Sequence, residues 1–173
     1  KSLRDAELEK VRRWIDYTAR MGASLLVVFP GPNRRDLSVA EAIRRVTDSV
    51  LRVADHAQSQ GVMLGLENHG AFKREPLAAL EVIDKVDHPW TGINLDTGNF
   101  IAKPYENMAP LVPKAVNCHL KLEVFDGKKN QPADLERTFR ILRDSGLQGG
   151  VTLQYELRGN PREEVPKYLE QIQ

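Results

Sequence analysis

Hydrophobic positions along the chain alternate between two periods. Leu8, Val11, Ile15 and Thr18 recur at helical spacing through residues 3–21, and Gly22 follows as a stop. Leu25 to Phe29 is then a short continuous apolar run closed by Pro30-Gly31, the pattern of a strand buried on both faces. Ser38 and Glu41 make a capping box for a helix over 38–60, with Ile43, Val46, Val50, Val53 and Ala57 on one stripe and Gly61 at its end. The unit repeats with strands at 62–66, 91–95, 115–120 and 151–155. Helices are predicted at 75–87, 104–111 and 133–145, and a last one from Pro161. Strands alternating with helices mean an α/β fold with a parallel sheet.

Residues 1–173 read as one domain, with no linker or low-complexity stretch. Length leaves two architectures open. An open doubly wound sheet holds five strands, whereas a full (β/α)₈ barrel needs about 250 residues, of which five units would take roughly 156.

The residues that end the strands choose between them. The second strand runs into Glu67, the third into Asp96, the fourth into His119 and the fifth into Glu156. In a barrel these C-terminal ends converge around one axis, on the face that carries active sites. In an open sheet they would lie in a row, about 4.8 Å apart per strand, and could not meet one ion. Singly, a carboxylate at a strand end reads as a helix cap and His119 as a hydrogen-bonded core histidine. All four at the same point of consecutive units read as a metal site. Three carboxylates and one imidazole suit one divalent cation, Mn²⁺ or Mg²⁺ first, with Co²⁺ and Zn²⁺ also admitted. The expected fold is therefore a TIM barrel present in part, as strands four to eight.

Composition narrows the partners. With 25 basic and 24 acidic residues the formal charge is +1, which gives no global reason for nucleic-acid or acidic-lipid binding. No run reaches the roughly 18 apolar residues of a membrane span. The lone Cys118 excludes an internal disulfide framework, and strand alternation points it away from His119. No leader pattern is visible at Lys1, so the expected location is cytoplasmic.

Leu66-Glu67-Asn68-His69-Gly70, Leu95-Asp96-Thr97-Gly98-Asn99, His119-Leu120-Lys121 and Tyr155-Glu156 together resemble the xylose isomerase-like TIM-barrel superfamily, and within it the sugar phosphate isomerase/epimerase proteins. The resemblance covers nearly the whole chain. It implies that the first three barrel strands are absent here, and that Glu67, Asp96, His119 and Glu156 hold one divalent ion. It also implies that Glu67 and Glu156 move protons beside a carbonyl through an ene-diolate, in an isomerase or epimerase acting on a small-molecule sugar. Such chemistry suits the residues: a metal on a ketone and its neighbouring hydroxyl acidifies the C–H between them, and two carboxylates can serve its two faces. Lys121, Asn68 and His69 are the expected substrate-binding residues, together with Asn99, which stands where many relatives carry His.

Three positions depart from the pattern. Asn99 is one; Phe125 replaces an Arg usual in ketose epimerases, and Leu122 replaces a common Asp. These departures argue against simple ketose 3-epimerase specificity, and Asn99 argues against the DNA-repair endonuclease branch. Two other functions stand beside the first. One is a keto-sugar dehydratase or β-eliminating lyase on the same metal site, and the other a non-catalytic metal- or sugar-binding barrel fragment. Arg34 and Arg35 are candidates for gripping a phosphate, Trp14 and Trp90 are expected as packing residues, and unpaired strand edges would favour a homo-oligomer.

Overall fold

The structure, a computed structural model, describes residues 3–32 and 36–172; Arg34 and Arg35 lie outside the described residues. Helix α1 (Leu3–Arg20) buries Leu8, Ile15 and Thr18, and Gly22 ends it at φ 74°, where a side chain would be strained. Helix α2 (Val39–Ser59) starts where the Ser38 hydroxyl accepts the Glu41 N–H at 3.2 Å, and its buried stripe runs from Ala42 to Ala57. Helices α3 (Leu77–Val86), α5 (Leu135–Asp144) and α6 (Pro161–Ile172) lie close to their predicted spans. The predicted helix at 104–111 is instead α4 (Pro104–Met108) followed by a 3₁₀ segment, Ala109–Lys114. Pro110 and Pro113 withhold the N–H groups that a continuous α-helix would use.

Strands β1 (Leu25–Val28), β2 (Met63–Glu67), β3 (Thr91–Asp96), β4 (Ala115–Lys121) and β7 (Gly150–Gln154) form one parallel sheet in the order β1-β2-β3-β4-β7. The order never reverses. Right-handed crossovers stepping one way put the helices that connect the strands on one face, the arrangement of a barrel wall rather than of a doubly wound sheet. Among the described residues β1 pairs only with β2 and β7 only with β4, so the sheet is a partial barrel with two edges. Burial follows: all six residues of β3 are buried, whereas β7 is exposed over Gly150, Val151 and Thr152.

One irregularity matters for the site. Ile93 lies beside Ala115, but Asn94 lies beside Asn117, so β4 carries Val116 as an extra residue. The shift brings Asp96 beside His119 and Leu95 beside Cys118. Acidic and imidazole side chains thereby share the inner face, while Cys118 joins the core on the other.

The pattern did not predict the antiparallel hairpin β5 (Glu123–Phe125) and β6 (Asn130–Pro132). Its three-residue strands are too short for a readable alternation. Lys128 and Lys129 form its turn, both backbone N–H groups donating to Asp126 Oδ1 at 2.8 and 2.9 Å. Trp14, expected as a packing residue, is 56% exposed and packs edge-on against Tyr17. No helix of the described residues is long and apolar enough to cross a membrane.

Candidate active site and metal centre

Glu67 and Asp96 are the last residues of β2 and β3, and His119 lies two residues before the end of β4. One donor atom from each lies within 4.8 Å of the others. His119 Nδ1 is 3.3 Å from Glu67 Oε2, and both carboxylates are almost wholly buried. Burial, and then the neighbouring Asp96 charge, push the Glu67 carboxyl up to about 7. Burial also raises Asp96 and lowers His119, which leaves the imidazole neutral with a lone pair to offer.

Each group is held by the chain around it. Gly98 N–H donates to Asp96 Oδ1 at 2.9 Å. Asn94 Nδ2 donates to Glu67 Oε2 at 2.8 Å and to His119 Nδ1 at 3.1 Å, while Asn99 Nδ2 donates to Glu67 Oε1 at 3.1 Å. Asn117 Nδ2 in turn donates to Asn94 Oδ1 at 2.7 Å. Neither Asn94 nor Asn117 was singled out from sequence. The signal was there: each sits two residues before a strand-end candidate, hence on the same face of its strand.

Glu156 stands apart from the three. It lies two residues beyond β7, is largely exposed, and its Oε1 is 2.6 Å from Lys121 Nζ. The same ammonium is 3.5 Å from Asp96 Oδ2, so Lys121 bridges the buried and the exposed carboxylates. Of the expected substrate-binding residues, Lys121, His69 and Asn99 line a cavity of about 570 Å³ together with the three donors and Glu156. His69 also packs edge-on against Phe29 at 5.1 Å, and burial lowers its pKa. Asn68 is wholly buried, and its amide is spent on the backbone of Asp96 and Asn99. Burial pushes the Cys118 thiol up to about 12, which removes it as a nucleophile.

Parallel strands in unreversed order define a partial TIM barrel, and the carboxylates and imidazole gathered at their C-terminal ends are a group that could hold a metal ion. The family model described as xylose isomerase-like TIM barrel matches residues 1–172, and the chain belongs to that family. None of the curated proteins compared with the chain matches it. Among solved structures, a xylose isomerase domain protein from Planctomyces limnophilus is 20% identical with a TM-score of 0.75, over 97% of this chain and 65% of that one. A xylose isomerase-like TIM barrel protein from Mycobacterium smegmatis, in complex with magnesium, is also 20% identical, with a TM-score of 0.74 over 97% and 67%. The 3-keto-D-glucoside 4-epimerase of E. coli is 16% identical, with a TM-score of 0.74 over 95% and 69%. The chain thus spans about two thirds of the length of each.

Proposed function

We propose that the chain carries the metal- and proton-handling part of a divalent-metal-dependent sugar isomerase or epimerase that abstracts a proton next to a carbonyl. The observation that carries this reading is the meeting of Glu67, Asp96 and His119 at the ends of three adjacent strands. The donor set fits a divalent cation: two buried carboxylates repel one another, a neutral imidazole adds a lone pair, and oxygen predominates, as Mn²⁺ and Mg²⁺ prefer. Glu67, Asp96 and His119 would hold the ion, with Glu156 as fourth donor. The magnesium bound by the Mycobacterium smegmatis protein and the epimerase activity of the E. coli protein support the same reading.

An ion held there supplies Lewis acidity, polarising a carbonyl oxygen so that the adjacent C–H loses its proton more readily. The chain's own residues do the rest. Glu67, a carboxylate on the cavity wall beside the proposed ion, is the first proton carrier, acting as general base and then acid. Glu156 is the second proton carrier, reaching the cavity from the loop beyond β7. Lys121 donates to substrate oxygens from between them, and the Phe29–His69 pair forms an aromatic wall.

The test is metal analysis of the purified protein, followed by reaction with a panel of ketoses and 3-keto-glycosides in deuterated water. Metal-dependent entry of deuterium at the carbon beside the carbonyl, with rearranged product, supports the assignment. Loss of a β-substituent instead of rearrangement would make the protein a lyase on the same site. A protein that binds a divalent ion but catalyses no exchange is a binder, and the enzyme reading falls.

A further inference from the structure

Each oxygen of the Glu67 carboxylate receives one neutral carboxamide donor, and both donors come from β3 and the loop that follows it. Asn94 is wholly buried. Because its Oδ1 is taken by Asn117 Nδ2, its own amide hydrogens must face the site, where Nδ2 serves Glu67 Oε2 at 2.8 Å and His119 Nδ1 at 3.1 Å. Asn99 closes on the other oxygen, Oε1, at 3.1 Å, and its carbonyl is tied to Asn68 Nδ2 at 3.5 Å. The chemical nature of these donors matters. An Arg or Lys in the same places would neutralise Glu67 and compete with a cation, whereas an amide fixes the carboxylate plane and leaves its charge and remaining lone pairs available.

We propose that Asn94 and Asn99 are positioning residues for Glu67, a carboxamide clamp anchored by Asn117, and that Asn94 also sets the ring of His119. Asn99 is on this account a partner of the carboxylate rather than of the substrate. The inference rests on the proposed metal site for its functional consequence, but the clamp itself has a readout that needs no metal. In the metal-free protein the Asn94 amide donates to Nδ1, so that nitrogen is the unprotonated one and the neutral His119 ring carries its proton on Nε2. A cation at His119 would take over that single Nδ1 lone pair, with Asn94 keeping its bond to Glu67 Oε2.

Four proteins test it: wild type, Asn94→Leu, Asn99→Ala and Asn117→Leu. In the EDTA-treated protein, ¹⁵N NMR should find His119 in the Nε2–H form in the wild type and in Asn99→Ala, and in mixed forms in Asn94→Leu. Calorimetry with Mn²⁺ should show affinity losses of about tenfold to a hundredfold for Asn94→Leu and Asn99→Ala, the range typical when a group orienting a metal ligand is removed. Asn117→Leu, which touches neither Glu67 nor His119, should lose less, and combining it with Asn94→Leu should add almost nothing. In turnover, kcat should fall with KM unchanged. An Asn99→Ala protein with intact Mn²⁺ affinity and a raised KM would overturn the clamp, because Asn99 would then be touching substrate. An unaltered His119 form in Asn94→Leu would overturn its role at the ring, and if that variant does not fold, Asn99→Ala and Asn117→Leu decide the matter through Mn²⁺ affinity. Should the wild type bind no Mn²⁺, the functional reading fails, and the NMR comparison still accepts or rejects the clamp.

Discussion

Asn68 pairs with both backbone polar groups of Asp96: its Oδ1 accepts the Asp96 N–H at 2.8 Å and its Nδ2 donates to the Asp96 carbonyl at 3.0 Å. Strand β2 has ended one residue earlier, so the side chain continues the ladder that its backbone has left. The last residue of β3, a candidate ligand, is thereby kept in strand geometry.

Replacing Asn68 by Ala should therefore act through stability. The buried Asp96 N–H would lose its partner, worth about 1–3 kcal/mol when left unsatisfied, while the Asp96 carbonyl would keep the Asn99 N–H at 3.4 Å. A loss of about 1–3 kcal/mol in urea unfolding is therefore expected. Mn²⁺ affinity should fall with it as Asp96 loosens. If Asn68 instead binds substrate, the variant would unfold like the wild type and show only a raised KM.

Gly149 is a second structural test. A Cβ there would collide with the backbone carbonyl of Val116, the extra residue of β4, and neither partner is a side chain that can swing aside. Gly149→Ala should destabilise by about 1–3 kcal/mol, as overpacking typically does, with the effect centred on the β4–β7 pairing. Hydrogen exchange should show amides of 150–154 losing protection ahead of those in β2 and β3. Uniform loss would mean that the collision is absorbed elsewhere.

How much of this was readable beforehand differs by residue. Ser38, the stripe of α2 and the strand-end positions of Glu67 and Asp96 are local: each depends on a period or a cap within a few residues, and the chain carries those directly. The unreversed strand order was legible only through the chemistry at the strand ends, since length allowed either architecture. The extra residue at Val116 was not legible, because it is a property of the β3–β4 pairing rather than of either strand. The place of Glu156 depends on a loop beyond β7 and on an ion pair with Lys121, 35 positions earlier in the chain, and no period encodes such a contact. Asn94 went unremarked because asparagine in a strand carries no obvious chemistry until its neighbours across the sheet are known.

Lys121 holds positive charge against Asp96 and Glu156, so it opposes any cation that approaches the same oxygens. Lys121→Met should tighten Mn²⁺ binding by about tenfold or more, given that unit charges 4 Å apart interact by about 1 kcal/mol in water and about 4 at an effective dielectric of 20. Turnover should move the other way, with KM rising as the donor to substrate is lost. Weaker Mn²⁺ binding in this variant would show that the lysine's main service is to hold the carboxylates in place.

The pH dependence of metal binding follows from Glu67. Its carboxyl, raised to about 7 by burial and by the Asp96 charge, keeps its proton in the metal-free protein over much of the mildly acidic range. A cation must displace that proton, so apparent Mn²⁺ affinity should climb about tenfold per pH unit up to about 7 and flatten above it. Asp96 is raised in the same direction, which steepens the climb at lower pH, while His119 is lowered and competes less. Stability has the matching sign. The folded-state value of Glu67 lies above the unfolded one of 4.5, so the folded protein binds more protons between the two. Metal-free stability should then decline as pH rises from about 4.5 to about 7, and stay reduced above. Mn²⁺ restores it where both carboxylates are ionised, so the rise in Tm on adding Mn²⁺ should be small at pH 5 and large at pH 8. Differential scanning calorimetry at the two pH values, with and without Mn²⁺, makes the comparison. Glu67→Gln should show a shallower pH dependence and weaker binding throughout. Equal stabilisation by Mn²⁺ at pH 5 and pH 8 in the wild type would remove Glu67 from the ligand set, because an ion that displaces no proton there does not bind at that carboxylate.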